Sequence, residues 1–131
     1  MTAPALSGVV LDAAAVVAFV HRASYAQAVV WATVDAGNTI IVPSTVLAVA
    51  RTHIPDDRLD ILTVLVDLPH TVIPSFDRAP AHRLHVAHGA AALTAAGHAT
   101  REAVCRDWPC LTSRPKRLRQ IDPRVIIDAL P

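Results

Sequence analysis

Aromatic residues are scarce in this sequence, since Phe, Tyr and Trp make up only 4% of its 131 residues. A surface that stacks nucleic-acid bases on aromatic rings is therefore not expected. The hydrophobic fraction is nevertheless 53%, so the core must be built from Val, Leu, Ile and Ala, which suits helices packed on an apolar parallel sheet. A strong charge of one sign is also absent, because the formal net charge is +1. Composition alone does not indicate a nucleic-acid-binding protein.

Neither a secretory signal nor a membrane span is recognisable in the sequence. The start has no basic residue, and the apolar run Val9–Val20 is interrupted by Asp12 and is too short to cross a bilayer. Cys105 and Cys110 form no CxxC pair, as expected of reduced thiols. Together with the richness in Ala, Arg, Val and Pro, these features predict a cytoplasmic bacterial protein without membrane attachment. The length predicts a single domain over residues 1–131.

Short apolar runs alternate with segments of helical composition along the chain. The apolar runs predict strands at Gly8–Leu11, Thr39–Val42, Thr71–Ile73, Cys110–Thr112 and Val125–Ile127. Helices are predicted at Ala13–Val20, Ser24–Asp35, Phe76–His88, Leu93–Asp107 and Pro115–Gln120, with two more opened by Pro43–Ser44 and by Pro55. This alternation predicts a three-layer α/β fold, in which a mainly parallel central sheet of about five strands is flanked by helices.

Ligands of such sheets bind beyond the carboxyl ends of the strands. Asp12 lies at such a position, directly after the first predicted strand, and it can also serve as the N-cap of the following helix. The segments Ser44–Val49 and Thr112–Arg117 follow two other strands. The sequence therefore predicts that these residues share one edge of the sheet.

Several segments carry a resemblance in order and spacing over nearly the whole chain. They are a strand ending in an acid, a strand followed by a helix, and a late strand with its tail: Val9–Ala15, Ile41–Ala48, and Leu111–Ser113 followed by Pro115, Leu118 and Ile121–Pro123. Together they resemble the PIN domains found in VapC-type toxins. The resemblance implies a PIN-like fold and a ribonuclease ancestry, in which clustered carboxylates hold Mg²⁺ or Mn²⁺. Such a metal activates water and neutralises charge on the phosphate.

Most of the acids that the resemblance implies are missing. The family's acidic positions fall on Asp12, Val49, Ala96 and Arg114. One carboxylate holds Mg²⁺ weakly, because the ion gives up its water reluctantly, so we expect no metal cofactor. Arg114 is expected to pair with Asp12, with its guanidinium group taking the place of the metal.

The segment after the predicted fourth strand is basic. One interpretation is a solvated surface. Another is contact with RNA phosphates or with an acidic partner, because basic side chains supply affinity that is independent of sequence. The candidate anion or RNA contacts are Thr112, Ser113, Arg114, Lys116 and Arg117.

Histidines offer weaker candidates for a metal site. His82, His85 and His88 recur at every third residue, but the outer two lie far apart around a helix, so a solvated face is expected. His98 and the two cysteines lack a fourth ligand at a spacing that zinc sites use.

Three functions are compatible with these patterns. The first is a PIN-like domain without nuclease activity that acts by binding, as a homodimer or with a partner of antitoxin type. The alternative is a divergent Mg- or Mn-dependent PIN ribonuclease that uses Asp12 with recruited ligands such as Asp107 or Asp122. The third is RNA binding without cleavage. The apolar stretch Leu59–Val66 favours an interaction role, because exposed apolar patches mark interfaces.

Overall fold

The computed structural model describes residues 7–76 and 90–131. Within these ranges, five strands form one parallel sheet in the order β3-β2-β1-β4-β5. The strands are β1 (Gly8–Leu11), β2 (Thr39–Ile41), β3 (Thr71–Val72), β4 (Cys110–Thr112) and β5 (Ile127–Ala129). The helices described are α1 (Ala13–Val20), α2 (Ser24–Asp35), α3 (Ser44–Thr52), α4 (Leu59–Val66), α5 (Ala90–Arg106) and α6 (Pro115–Ile121), with a 3₁₀ turn at Asp56–Arg58 before α4.

The predicted α/β architecture is confirmed. The bounds of β1, β4, α1 and α2 coincide with their predictions, because each begins or ends at a local signal such as the Asp12 cap or the Gly37 turn. The predicted helix Phe76–His88 and the three histidines on it lie outside the described residues, apart from Phe76 itself.

Strand β1 occupies the centre of the sheet. All its residues are buried, and Val10 pairs with Ile41 of β2 on one side and with Cys110 of β4 on the other. A strand covered on both faces needs apolar side chains at every position, which explains the unbroken apolar run. The chain leaves β1 toward β2 and later returns to its other side as β4. The strand order therefore reverses at β1, and the carboxyl ends of β1 and β4 form a switch point of the kind where ligands bind.

A tight turn separates α1 from α2. Arg22 adopts a φ of 60°, in the left-handed region, and the Ala23 N–H returns to the Ala18 carbonyl at 2.9 Å. The two helices are bent by 97° and reach the length and apolar character of a membrane span only when taken together. No single helix within the described ranges does so alone.

The fifth strand lies two residues later than predicted. Asp122 makes a turn in which its side chain accepts from the Arg124 N–H at 2.9 Å and its carbonyl accepts from the Val125 N–H at 3.2 Å. Val125 therefore enters the core before the strand begins, and Ile127 is the first residue of β5 to pair, with Cys110.

Helix α4 uses most of its apolar residues internally. Leu62 and Leu65 are buried, and Ile61 packs against the core from a half-buried position. Only Val64, at 48% exposure, stands out as a large exposed apolar side chain on this helix. The interface expected from Leu59–Val66 therefore has little free apolar surface to rest on.

Candidate functional site

Asp12 lies directly beyond the carboxyl end of β1 and starts α1. Its backbone is extended, and its Oδ1 accepts a hydrogen bond from the Ala15 N–H at 2.9 Å. A helix leaves its first N–H groups without partners, and an aspartate at the N-cap satisfies one of them. The side chain is only 6% exposed, so the residue that resembles a catalytic acid has a complete structural role of its own.

Burial raises the pKa of Asp12 above its ordinary value, because the low-dielectric surroundings disfavour the charged form. Hydrogen bonds from the Thr112 hydroxyl and from the Ala15 and Ala14 N–H groups, together with the charge of Arg114, act in the opposite direction and do not overcome burial. The carboxyl group is therefore a poorer anion than an exposed aspartate.

Thr112 fixes the geometry beside Asp12. It is the last residue of β4, it is fully buried, and its hydroxyl bonds to the Asp12 carboxyl group. The same hydroxyl oxygen accepts from the Arg114 N–H at 2.9 Å. Because β1 and β4 are parallel and in register, their carboxyl ends bring Asp12 and Thr112 side by side.

A cleft of about 680 Å³ opens beside these residues. Its lining includes all four positions that the resemblance assigned to the acids: Asp12, Val49, Ala96 and Arg114. Helices α3 and α5 pack together and bring Val49 and Ala96 to this edge of the sheet. The structure therefore places the four residues around one cleft.

The prediction that the Arg114 guanidinium pairs directly with the Asp12 carboxylate is wrong. No hydrogen bond or ion pair joins the two side chains in the part of the chain that is described. Arg114 is exposed and acts on Asp12 only through its charge. The Thr112 hydroxyl and the first N–H groups of α1 already occupy the carboxyl group, so a guanidinium group gains little by approaching it.

The basic segment divides into two surfaces. Ser113, Arg114 and Arg117 line the cleft, whereas Lys116 and Arg119 are exposed on α6 outside it. Residues three apart on a helix share a face. Arg114 and Arg117 therefore lie on one face, and Lys116 and Arg119 lie on another. Three of the five predicted anion contacts therefore line the cleft. Of the other two, Thr112 is buried next to it, and Lys116 lies outside it.

The side chains of the cleft do not fit a divalent metal. Asp12 is the only carboxylate side chain among the described residues that line it. No group of three His, Cys, Asp or Glu side chains suited to a metal ion occurs within residues 7–76 and 90–131. Mg²⁺ requires hard oxygen ligands in near-octahedral geometry, and valine, alanine and arginine supply none.

The recruited ligands considered from the sequence lie elsewhere. Asp107 precedes β4 and Asp122 precedes β5, so both stand near the amino ends of parallel strands, opposite the edge that carries Asp12. The Arg124 guanidinium, 2.8 Å away, holds the pKa of Asp122 below its ordinary value. Neither acid can join Asp12 around one ion.

His98 is buried between α3 and α5 and does not line the cleft. Its Nδ1 lies 2.7 Å from the Thr45 hydroxyl, which links α5 to α3. Its Nε2 lies 3.5 Å from a Glu102 oxygen and has no hydrogen-bond partner in the described chain. Burial lowers the pKa of His98, so the neutral ring is favoured in this contact between the two helices.

The two cysteines are in different environments. Cys105 is exposed, whereas Cys110 is buried in β4, where burial and the nearby Asp12 raise the pKa of its thiol well above the ordinary value. They form no metal-binding group with His98 among the described residues.

One contact made by a lining residue of the cleft was not predicted from the sequence. Tyr25, at the start of α2, lines the cleft and donates its hydroxyl proton to Asp128 of β5. The two residues stand far apart in the chain and belong to no recognisable motif. His53, at the end of α3, also lines the cleft, and no motif in the sequence singled it out.

The five-stranded parallel sheet and its edge cleft define a PIN-like α/β fold. Among solved structures, the chain is similar to one chain of VapBC2 from Rickettsia felis bound to a DNA fragment from its promoter. The two chains are 18% identical, the match covers 93% of this chain and 98% of the other, and the TM-score is 0.60. No family model and no curated protein matches the chain.

Proposed function

We propose that this chain is a PIN-like domain that has lost metal-dependent ribonuclease activity and acts by binding a protein of antitoxin type. The observation that carries the proposal is the cleft itself. It holds one carboxylate side chain, already bonded to Thr112 and to the start of α1, beside two arginines. The likeness to a VapBC2 chain supports a place in a toxin–antitoxin pair.

Electrostatics weigh against a metal at this position. A divalent ion and one guanidinium group ~8 Å apart repel each other by about 4 kcal/mol at an effective dielectric constant near 20. Arg114 and Arg117 both line the cleft, so each adds repulsion of this sign. Asp12 is a single carboxyl group whose pKa is raised by burial, so its attraction for a metal ion offsets little of this repulsion.

Metal-dependent thermal stability tests the proposal. We expect the melting temperature of the protein to respond equally to millimolar Mn²⁺ or Mg²⁺ in the wild type, in Asp12→Ala and in the control Asp57→Ala, which removes an exposed acid outside the cleft. A ligand that binds only the native state would raise the wild-type value selectively. Single-stranded RNA should remain intact under the same conditions.

The divergent ribonuclease is the competing function. It requires Mn²⁺ to stabilise the wild type and RNA to be cleaved, with both effects lost in Asp12→Ala. That combination would establish a metal nuclease and overturn the proposal. Homodimerisation stays a separate prediction, to be measured by light scattering of the purified chain.

A further inference from the structure

We propose that the cleft binds a carboxylate side chain carried between apolar residues on a peptide segment of a partner protein, with Arg114 and Arg117 as its anchors. The inference rests on the proposed function, because it requires arginines rather than a metal ion to define the charge of the cleft. Beyond the proposed function, it specifies that the partner's contact residue is acidic.

The arginines are available for such a contact. Arg114 is the N-cap of α6 and Arg117 lies in its first turn, and both line the cleft. Neither guanidinium group makes a hydrogen bond or ion pair within the described ranges; the hydrogen bond of Arg114 to Thr112 is made by its backbone N–H. The planar guanidinium group matches a carboxylate through paired hydrogen bonds, and the Ser113 hydroxyl offers a further donor beside them.

The anchors stand on a supported backbone. The Arg114 N–H is fixed to the buried Thr112 hydroxyl at 2.9 Å, and Leu118, one residue after Arg117, is fully buried. The cleft's own carboxyl group does not compete for the anchors, because Asp12 is bonded to Thr112 and Ala15. An incoming carboxylate therefore meets positive charge that no side chain within the cleft has neutralised through a direct contact.

The rest of the lining favours a peptide over RNA. Apolar side chains form much of it, among them Val17, Val49, Ala96 and Leu118. The cleft volume of about 680 Å³ is within the usual range for ligand sites, which are mainly apolar with a few placed polar groups. Tyr25 is the only Phe, Tyr or Trp among the described lining residues, and its hydroxyl is held by Asp128. Base stacking, on which single-stranded RNA binding relies, has little support here.

Peptide selection tests the inference directly. A phage-displayed library of random peptides, ~12 residues long, is selected on the immobilised full chain, and an enriched peptide is synthesised for anisotropy measurements. We expect enrichment of Asp or Glu flanked by apolar residues. Replacing that acid by its amide, or making Arg117→Ala or Arg114→Ala, should weaken binding by about tenfold or more, as expected for charge-assisted hydrogen bonds. Arg119→Ala, on the exposed side of α6, should bind like the wild type.

Several outcomes would overturn the inference: no enriched peptide, enrichment of basic or uncharged peptides, or equal losses in Arg119→Ala and Arg117→Ala. Binding of a 12-nucleotide single-stranded RNA that competes with the peptide and depends on the same arginines would assign the cleft to nucleic acid instead. Circular dichroism of each variant verifies folding. Failure here with no Mn²⁺ effect rejects only the acidic contact, whereas Mn²⁺-dependent RNA cleavage rejects the proposed function.

Discussion

Asp12→Asn separates the structural contribution of this side chain from its charge. The residue is 6% exposed and caps α1 through the Ala15 N–H. Asn caps helices about as well as Asp, whereas Ala loses the cap at a cost of about 1 kcal/mol, within a range of roughly 0.5–2. For a domain of this size, that cost lowers the melting temperature by about 4 °C. We therefore expect Asp12→Ala to melt below Asp12→Asn at every pH.

The pH dependence reveals the charge. Because burial raises the pKa of Asp12 above the ordinary value of 3.8, the folded state favours the protonated carboxyl group. The resulting stabilisation is complete below the unfolded-state pKa and is lost as the pH rises through the folded-state pKa. Asn does not titrate. The Asp12→Asn variant should therefore gain stability relative to the wild type as the pH rises from about 4 toward neutrality.

Thermal denaturation monitored by circular dichroism, between about pH 4 and 8 with chelator present, measures both effects. The control is Asp57→Asn, which removes an exposed acid and should show no such trend. The reasoning would be refuted if the wild type became more stable relative to Asp12→Asn as the pH rises. It would mean that attraction to Arg114 outweighs burial in the free protein.

Two further changes test the cleft and the sheet. The triple variant Val49→Glu, Ala96→Asp, Arg114→Asp should bind Mn²⁺, because these positions line one cleft with the remaining acid. At a hundredfold excess of Mn²⁺ over Kd, its free energy of unfolding should rise by about 2.7 kcal/mol, seen as a higher melting temperature. A folded triple variant whose melting temperature does not change with Mn²⁺ would contradict the alignment. Gly8→Ala should lower the free energy of unfolding by about 1–3 kcal/mol, since its Cβ would lie 2.8 Å from the Trp108 ring and closer still to a β2 carbonyl. An unchanged urea midpoint would show that the contact relaxes freely.

The central elements were predictable because their signals are local. An unbroken apolar run identifies a doubly covered strand such as β1, and Asp12 marks the change to a helix. The edge strand β5 was placed too early, because its register depends on pairing with Cys110 and on the turn at Asp122. Neither constraint is visible in the composition of Val125–Ile127.

The sequence singled out several residues that line the cleft, but not the hydrogen bonds that they make. Spacing along the resembling segments brought Val49, Ala96 and Arg114 to one site. The sequence carried no information on which donor reaches Asp12 first, and the buried Thr112 hydroxyl reaches it from the neighbouring strand. Competition between donors depends on distances of a few ångströms, which only the assembled sheet determines.

The central position of β1 also has a consequence for how the chain folds. Its first neighbour, β2, follows soon in the sequence, but its second, β4, is formed from residues far later. Contacts between distant segments must close a long loop before they contribute, which slows folding. Until β4 is made, one edge of the wholly apolar β1 is unpaired, and such edges recruit other chains. The growing polypeptide is therefore most prone to aggregate between the synthesis of β2 and the synthesis of β4, when shielding by a chaperone would matter most.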